Sequence, residues 1–208
     1  MSELRILPAW LDAGAAALAG AVPPAQTLAG ALPGLARAQS LTPMQRLQRV
    51  QESGLTECGT AGEPLYLAWR QFLRGHGPSV LVIDATDFDS RALGSAAVLE
   101  SATWLLAEGV LIAASLRDSR TVELRLPAEL TGCEAALLNT AEAIQSLKQM
   151  STPHIQVQIQ RNRQRSCWGE GQATDRTRLI HTPETWCRIA LLFAGVSDLN
   201  AVDRKSVV

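Results

Sequence analysis

Aromatic side chains are scarce in this chain: Trp, Tyr and Phe together make 4 % of 208 residues. The 47 % hydrophobic content therefore rests on alanine and leucine, a composition that suits a helix-rich globular α/β protein. Long apolar runs are also missing. The stretch from Ala13 to Val22 is too short to span a bilayer. Only Arg5 is basic ahead of it and Asp12 directly precedes it, so neither a secretory signal nor an integral membrane segment is expected. A formal charge of −1 with 19 % charged residues gives no basic field for nucleic acid or an anionic membrane. The four cysteines, Cys58, Cys133, Cys167 and Cys187, are dispersed and form no C-x-x-C pair, which argues against zinc and iron–sulfur sites. Reduced thiols and a cytoplasmic location are the simplest expectation. The three histidines, His76, His154 and His181, have no partner at metal-ligand spacing, and each reads as a surface or loop residue. No nucleophile–base pair can be assembled from neighbouring residues, so no catalytic residue and no metal ligand is assigned.

What is present begins with an Ala/Gly/Pro-rich segment over residues 1–40, an N-terminal arm broken by Pro8, Pro23, Pro24 and Pro33. Thr42-Pro43-Met44-Gln45 then reads as a helix start, with Thr42 as cap, Pro43 in the first turn and Gln45 closing a capping box. Leu47 and Val50 lie on one face of that helix, Arg46 and Arg49 on another. It stops at Ser53-Gly54. A loop with Gly54, Gly59 and Gly62 follows, of the kind whose bare N–H groups can converge on a phosphate. Residues 79–85 (SVLVIDA) form a continuous apolar run ending in Asp84, the pattern of a central parallel strand with a ligand-facing carboxyl end. Asp84 and Asp87 pair as strand-end acids that fit either a ligand site or a loop cap. Residues 92–116 predict a long helix with Leu99, Leu106, Val110 and Ala113 towards the core, and Gly109 marking close packing. Residues 121–126 predict a strand, 134–150 a helix, and 155–160 a half-wet or edge strand. Residues 161–165 (RNRQR) are a small basic cluster without aromatic interleaving, better suited to a solvated loop than to RNA. The last helix is expected over Trp186–Val196. The β-α-β-α-β order predicts a parallel sheet with right-handed crossovers. The domain is placed at residues 41–196 and a tail at 197–208.

Residues 53–69, SGLTECGTAGEPLYLAW, resemble without gaps the flavin-binding glycine motif SGLRGRGGAGFPTGLKW of the NADH-binding FMN subunit (51 kDa subunit) of respiratory complex I and its relatives in NAD-linked hydrogenases and formate dehydrogenases. Ser53, Gly54, Leu55, Gly59, Ala61, Gly62, Pro64, Leu67 and Trp69 match. The likeness extends to a Thr-Pro helix upstream, to V-N-A-D-E-S against residues 83–88, and to L-L-I-E-G-M-I-I-A-A against Leu105–Ala114. It continues in I-C-G-E-E-T-A-L against Cys167-Trp168-Gly169-Glu170-Gly171 and V-N-N-V-E-T-L against residues 180–186, and covers roughly residues 28–196. It implies a three-layer Rossmann-like parallel sheet with flanking helices, the FMN-binding domain type. It also implies that Gly59, Gly62, Asp84, Asp87, Gly169, Glu170, Thr182 and Thr185 line a vestigial cofactor site.

The departures carry the functional expectation. In the family, lysine, asparagines and glycine N–H groups meet the FMN phosphate. Here Ala68 replaces the lysine, His181 and Thr182 replace the asparagines, and Glu57, Glu63 and Asp84 bring acids nearby. Two unit charges ~4 Å apart at an effective dielectric of ~20 repel by about 4 kcal/mol. Thr60 and Tyr66 add bulk where the family has glycine, and the arginines of residues 161–165 stand where a small glycine-rich segment approaches the flavin. The expected function is a non-catalytic relative of the flavin subunit, a scaffold, assembly or regulatory component partnered by another subunit of a redox complex. Neither FMN nor NADH is expected to bind, and no iron–sulfur cluster, since the cluster-bearing cysteines are not matched. The alternatives are an NADH-dependent flavin oxidoreductase with a remodelled site and an external electron acceptor, or a small-ligand-binding module.

Overall fold

The structure, a computed structural model, describes residues 32–58, 62–86, 98–99, 102–117, 119–127, 156–162, 176–196 and 199. In chain order these form α1 (Pro33–Gln39), α2 (Pro43–Ser53), α3 (Leu65–Arg74), β1 (Val80–Asp84), α4 (Thr103–Arg117), β2 (Thr121–Pro127), β3 (Gln156–Asn162), β4 (Arg178–His181) and α5 (Pro183–Ala194). The expected helix over 134–150, the arginines at 163 and 165, and most of the N-terminal arm and C-terminal tail lie outside the described residues.

Local chemistry accounts for most element ends. The Thr42 hydroxyl accepts the Gln45 N–H at 3.3 Å, and the Gln45 side chain accepts the Thr42 N–H at 2.8 Å, so the predicted capping box is complete. Gly54 ends α2 at φ +63°, in the left-handed region that L side chains rarely adopt. In α3, Leu65, Trp69 and Phe72 recur at i, i+4 and i+7, so one stripe of the helix is buried. α4 is buried nearly all round, from Leu105 to Ala114. Gly109 is the point where it crosses α5: a Cβ there would stand 1.9 Å from the Trp186 carbonyl oxygen.

The four strands are all parallel, in the order β3-β2-β1-β4. Leu81, Ile83, Val122, Leu124, Leu126 and Leu179 join the helices in one hydrophobic core. By alternation Val82, Asp84, Glu123 and Arg125 take the other face. There the buried Glu123 pairs with Arg125 and Arg178, which keeps a charge acceptable inside a parallel sheet. β3 is one of the two edges among the described strands, and Ile159 on it is exposed.

Arg46, which the sequence placed on a face apart from Leu47 and Val50, is buried. Its Nε donates to the Ala38 carbonyl at 2.6 Å and its Nη1 to the Ser115 hydroxyl at 2.6 Å, tying together α1, α2 and α4. The last helix starts at Pro183 rather than Trp186, because Thr182 caps it and Pro183 opens its first turn. α1, in the segment read as an arm, packs Leu35 and Ala38 into the core.

Candidate functional site

The strand order reverses between β1 and β4: the chain builds β1, β2 and β3 outward in one direction, then returns to place β4 on β1's other side. In open α/β sheets the crevice at such a reversal, beyond the carboxyl ends of the strands, is where ligands bind. β1 ends there in Asp84 and β4 in His181, with Ile83 and His181 in register. Thr182 and the N-terminus of α5 follow directly. The described ends of the loop between α2 and α3 are held together by Glu57 N–H to Glu63 O at 2.9 Å and Leu65 N–H to Leu55 O at 2.9 Å.

Glu57 from that loop is the centre of the crevice. It is buried, and every polar contact of its carboxylate comes from about 125 residues away. Oε1 accepts the Thr182 N–H at 3.1 Å, lies 3.2 Å from the Thr182 hydroxyl, and accepts the Thr185 hydroxyl at 2.8 Å. Oε2 is hydrogen-bonded to His181 Nδ1. Thr182 is the N-cap of α5 and Thr185 its third residue, so the N-cap N–H that a capping box satisfies locally is satisfied here by a distant carboxylate. The carboxylate also faces the positive end of a 12-residue helix. At the other end of α5, Arg37 donates to the Ala194 carbonyl and Arg49 to the Leu192 carbonyl at 3.4 Å. Both ends of this helix are thus closed by charged side chains from other elements.

The imidazole is committed on both sides. Trp69 Nε1–H donates to His181 Nε2 at 3.1 Å, and an indole N–H can only donate. Nε2 therefore carries no proton, and Nδ1 carries the one that bonds Glu57. Trp186 meets the ring edge-on at 4.9 Å and anchors its own N–H on the Val82 carbonyl at 3.1 Å. With both nitrogens used by buried groups, His181 has no position from which to take a substrate proton. Beside it, the Cys58 N–H donates to the Thr185 hydroxyl at 3.0 Å, and the Arg188 guanidinium donates to Cys58 Sγ at 3.0 Å. Burial pushes the Cys58 thiol up, against the opposing pull of Arg188 and Thr185, so this sulfur is not an activated nucleophile.

This fold is shared with a chain of an NAD+-reducing [NiFe]-hydrogenase. Its structure in the H2-reduced state matches with a TM-score of 0.65 at 18 % identity, over 83 % of this chain and 35 % of the hydrogenase chain. The air-oxidized state matches with a TM-score of 0.56 at the same identity and coverage. The chain thus spans about a third of the hydrogenase chain, and at this identity the likeness establishes the fold. No protein-family model matches the sequence. No curated protein matches it.

Of the residues that the sequence placed at the site, Thr182 and Thr185 are brought together, on Glu57. Asp84 stands at the end of β1, but its carboxylate turns inward: Oδ1 accepts the Thr86 N–H at 3.0 Å and the Thr86 hydroxyl, and Oδ2 lies 3.6 Å from Arg125. The bonds to Thr86 are those of a loop cap. Gly62 takes φ +83° with open space around its α-carbon. Gly59, Asp87, Gly169 and Glu170 lie outside the described residues, as does Thr60. Glu63 is exposed and Tyr66 half-buried under Arg70. Glu57 and His181, expected only as an added acid and a lost asparagine beside the phosphate, were not among the residues expected to line the site. His181, read as a surface or loop residue, is buried because it bridges two buried partners. The signal available in the sequence was the joint departure of two motifs: an acid at a glycine position and a histidine–threonine pair at two asparagine positions, which are complementary in charge and hydrogen bonding. Among the described residues no group of His, Cys, Asp or Glu is arranged to hold a metal ion, and no helix is long and apolar enough to cross a membrane.

Proposed function

We propose that this chain is a non-catalytic relative of the NADH-oxidising flavin subunit, serving as a scaffold, assembly or regulatory component of an oxidoreductase complex. The observation that carries the reading is the Glu57 carboxylate seated at the N-terminus of α5, in the crevice at the strand-order reversal. A helix N-terminus in that position is the natural seat of a phosphate. Here the chain's own anion occupies it, and the donors that would greet a ligand are already bonded. The resemblance in the glycine motif makes the FMN phosphate the ligand displaced. The repulsion expected from added acids is thereby replaced by occupation, since Glu57 is bonded inward, Asp84 is paired and Glu63 points to solvent.

The purified chain is therefore expected to be colourless, and titration with FMN or NADH to leave the flavin absorbance and the intrinsic tryptophan fluorescence unchanged. Near-stoichiometric flavin surviving gel filtration would overturn the reading in favour of an enzyme with a remodelled site.

What the chain keeps is its shape: the fold is shared with a subunit of a hydrogenase described as NAD+-reducing, while the polar groups of the crevice serve the chain itself. A preserved shape whose described crevice groups, Glu57, His181, Thr182 and Thr185, bond one another points to a partner subunit. Co-purification with another protein is expected from native extract, with weaker association after removal of residues 1–27, whose Leu4, Ile6, Leu7, Trp10 and Leu11 are apolar. Recovery of the bare chain alone, with and without that segment, would contradict a scaffold role. The two described cysteines, Cys58 and Cys187, are free thiols, as suits the proposed cytoplasmic setting.

A further inference from the structure

Glu108 is a buried carboxyl with no part in the crevice. It lies in the middle of α4, with none of its surface exposed, where α4 meets α1 and α5. Its Oε1 accepts the Leu35 N–H, in the first turn of α1, at 2.8 Å. Its Oε2 has no hydrogen-bond partner among the described residues. The backbone of α1 comes close here: a Cβ on Gly34 would stand 2.6 Å from the Ala190 carbonyl oxygen of α5 and 3.0 Å from Glu108 Oε1. With none of its surface exposed, the Glu108 carboxyl is cut off from bulk water that would solvate a charge.

The charged and titratable groups on the surrounding elements are directed elsewhere. Arg37 of α1 bonds the Ala194 carbonyl, and Arg46 of α2 bonds Ala38 and Ser115. On α5, Arg188 bonds Cys58 and the Leu199 carbonyl, Glu184 is an acid, and Cys187 is a buried thiol whose own ionisation burial disfavours. None of them supplies a counter-charge hydrogen-bonded to Glu108. An ionised carboxylate at this place would be an uncompensated buried charge, whereas a neutral one is a tolerable polar group.

We propose that α1 is seated by a proton: it docks on α4 and α5 with the Glu108 carboxyl protonated, and ionisation of that carboxyl loosens it. Burial raises the Glu108 pKa from 4.5 to about 7, against the downward pull of the Leu35 and Gly34 N–H groups. The docked state therefore holds a proton that the undocked state has released, between pH about 4.5 and about 7. Docking weakens as pH rises through that window and stops changing above it.

Hydrogen exchange on the full chain tests this. After correction for the intrinsic rise of exchange with pH, opening of residues 33–39 is expected to increase about tenfold between about pH 6 and pH 8, with peptides from α3 as the unchanging reference. In Glu108→Gln, whose side chain keeps the acceptor for Leu35 and cannot ionise, the same peptides should show no pH dependence. A flat wild-type profile, or an equal slope in Glu108→Gln, would overturn the proposal. If that variant does not fold, the wild-type profile against α3 decides alone.

Discussion

Glu57→Ala is expected to lose about 3 kcal/mol or more of folding stability, because three buried donors lose their acceptor at once. The reason lies in what remains. The N–H of His181 Nδ1, the Thr182 N–H and the Thr185 hydroxyl would all face an empty space, and each buried unsatisfied donor costs about 1–3 kcal/mol, partly relieved by entering water. Glu57→Gln is the sharper variant. Its oxygen can replace Oε1 towards Thr182 and Thr185, but its amide would then meet His181 Nδ1–H donor to donor. The imidazole cannot switch tautomer to receive it, because Nε2 must accept from Trp69. Glu57→Gln is therefore expected to fold and to lose about 1–3 kcal/mol, less than the alanine variant. Urea titration followed by tryptophan fluorescence measures both. A loss under about 1 kcal/mol in Glu57→Ala would show that the carboxylate is not what holds the loop to α5, and would remove the support for an internally occupied crevice.

Gly109→Ala should be as damaging, although alanine is the better helix former by about 1 kcal/mol. The added Cβ would lie 1.9 Å from the Trp186 carbonyl oxygen and 2.8 Å from its carbon. Both are backbone atoms of α5, so no side-chain rotation can clear them. α5 cannot retreat easily either: Glu57 holds its N-terminus, Arg37 and Arg49 hold its C-terminus, and Trp186 and Ile189 are fully buried. The cost is expected at or above the upper end of ordinary overpacking, about 3 kcal/mol, which lowers Tm by about 6 °C or more in a chain of this size. Calorimetry decides the matter. An unchanged or raised Tm would mean that the α4–α5 crossing is looser than the structure places it.

Much of the frame was legible because its signals are local. Thr42, Pro43 and Gln45 lie within one helical turn of each other, so the capping box they form needs nothing from the rest of the chain. The run over residues 80–83 is wholly apolar, which distinguishes a strand covered on both faces from a half-wet one, and in β1 the successive residues Leu81, Val82 and Ile83 are all fully buried. Gly109 in an otherwise apolar helix marked a close crossing, and the crossing is there. The burial of Arg46 was not legible, for the same reason that these features were. Its position on the helix face is local, but the carbonyls that receive it, on Ala38 and Ser115, are not.

The sequence by itself determined the α/β class, three of the four described strands and the loop at residues 54–64, since each follows from residue order over a few positions or from the period of an apolar pattern; β4 (Arg178–His181), too short to show such a period, was not expected. Tertiary structure alone decided the meaning of Glu57 and His181. An acid in a glycine-rich loop repels an anionic ligand if it faces the crevice with its charge free, and replaces that ligand if donors converge on it. The difference depends on Thr182, Thr185 and His181, some 125 residues away. They reach Glu57 only because β4 returns to the side of β1 where the loop lies. The free energy of a buried charge is set by the groups within a few ångströms of it, and chain topology chooses those groups.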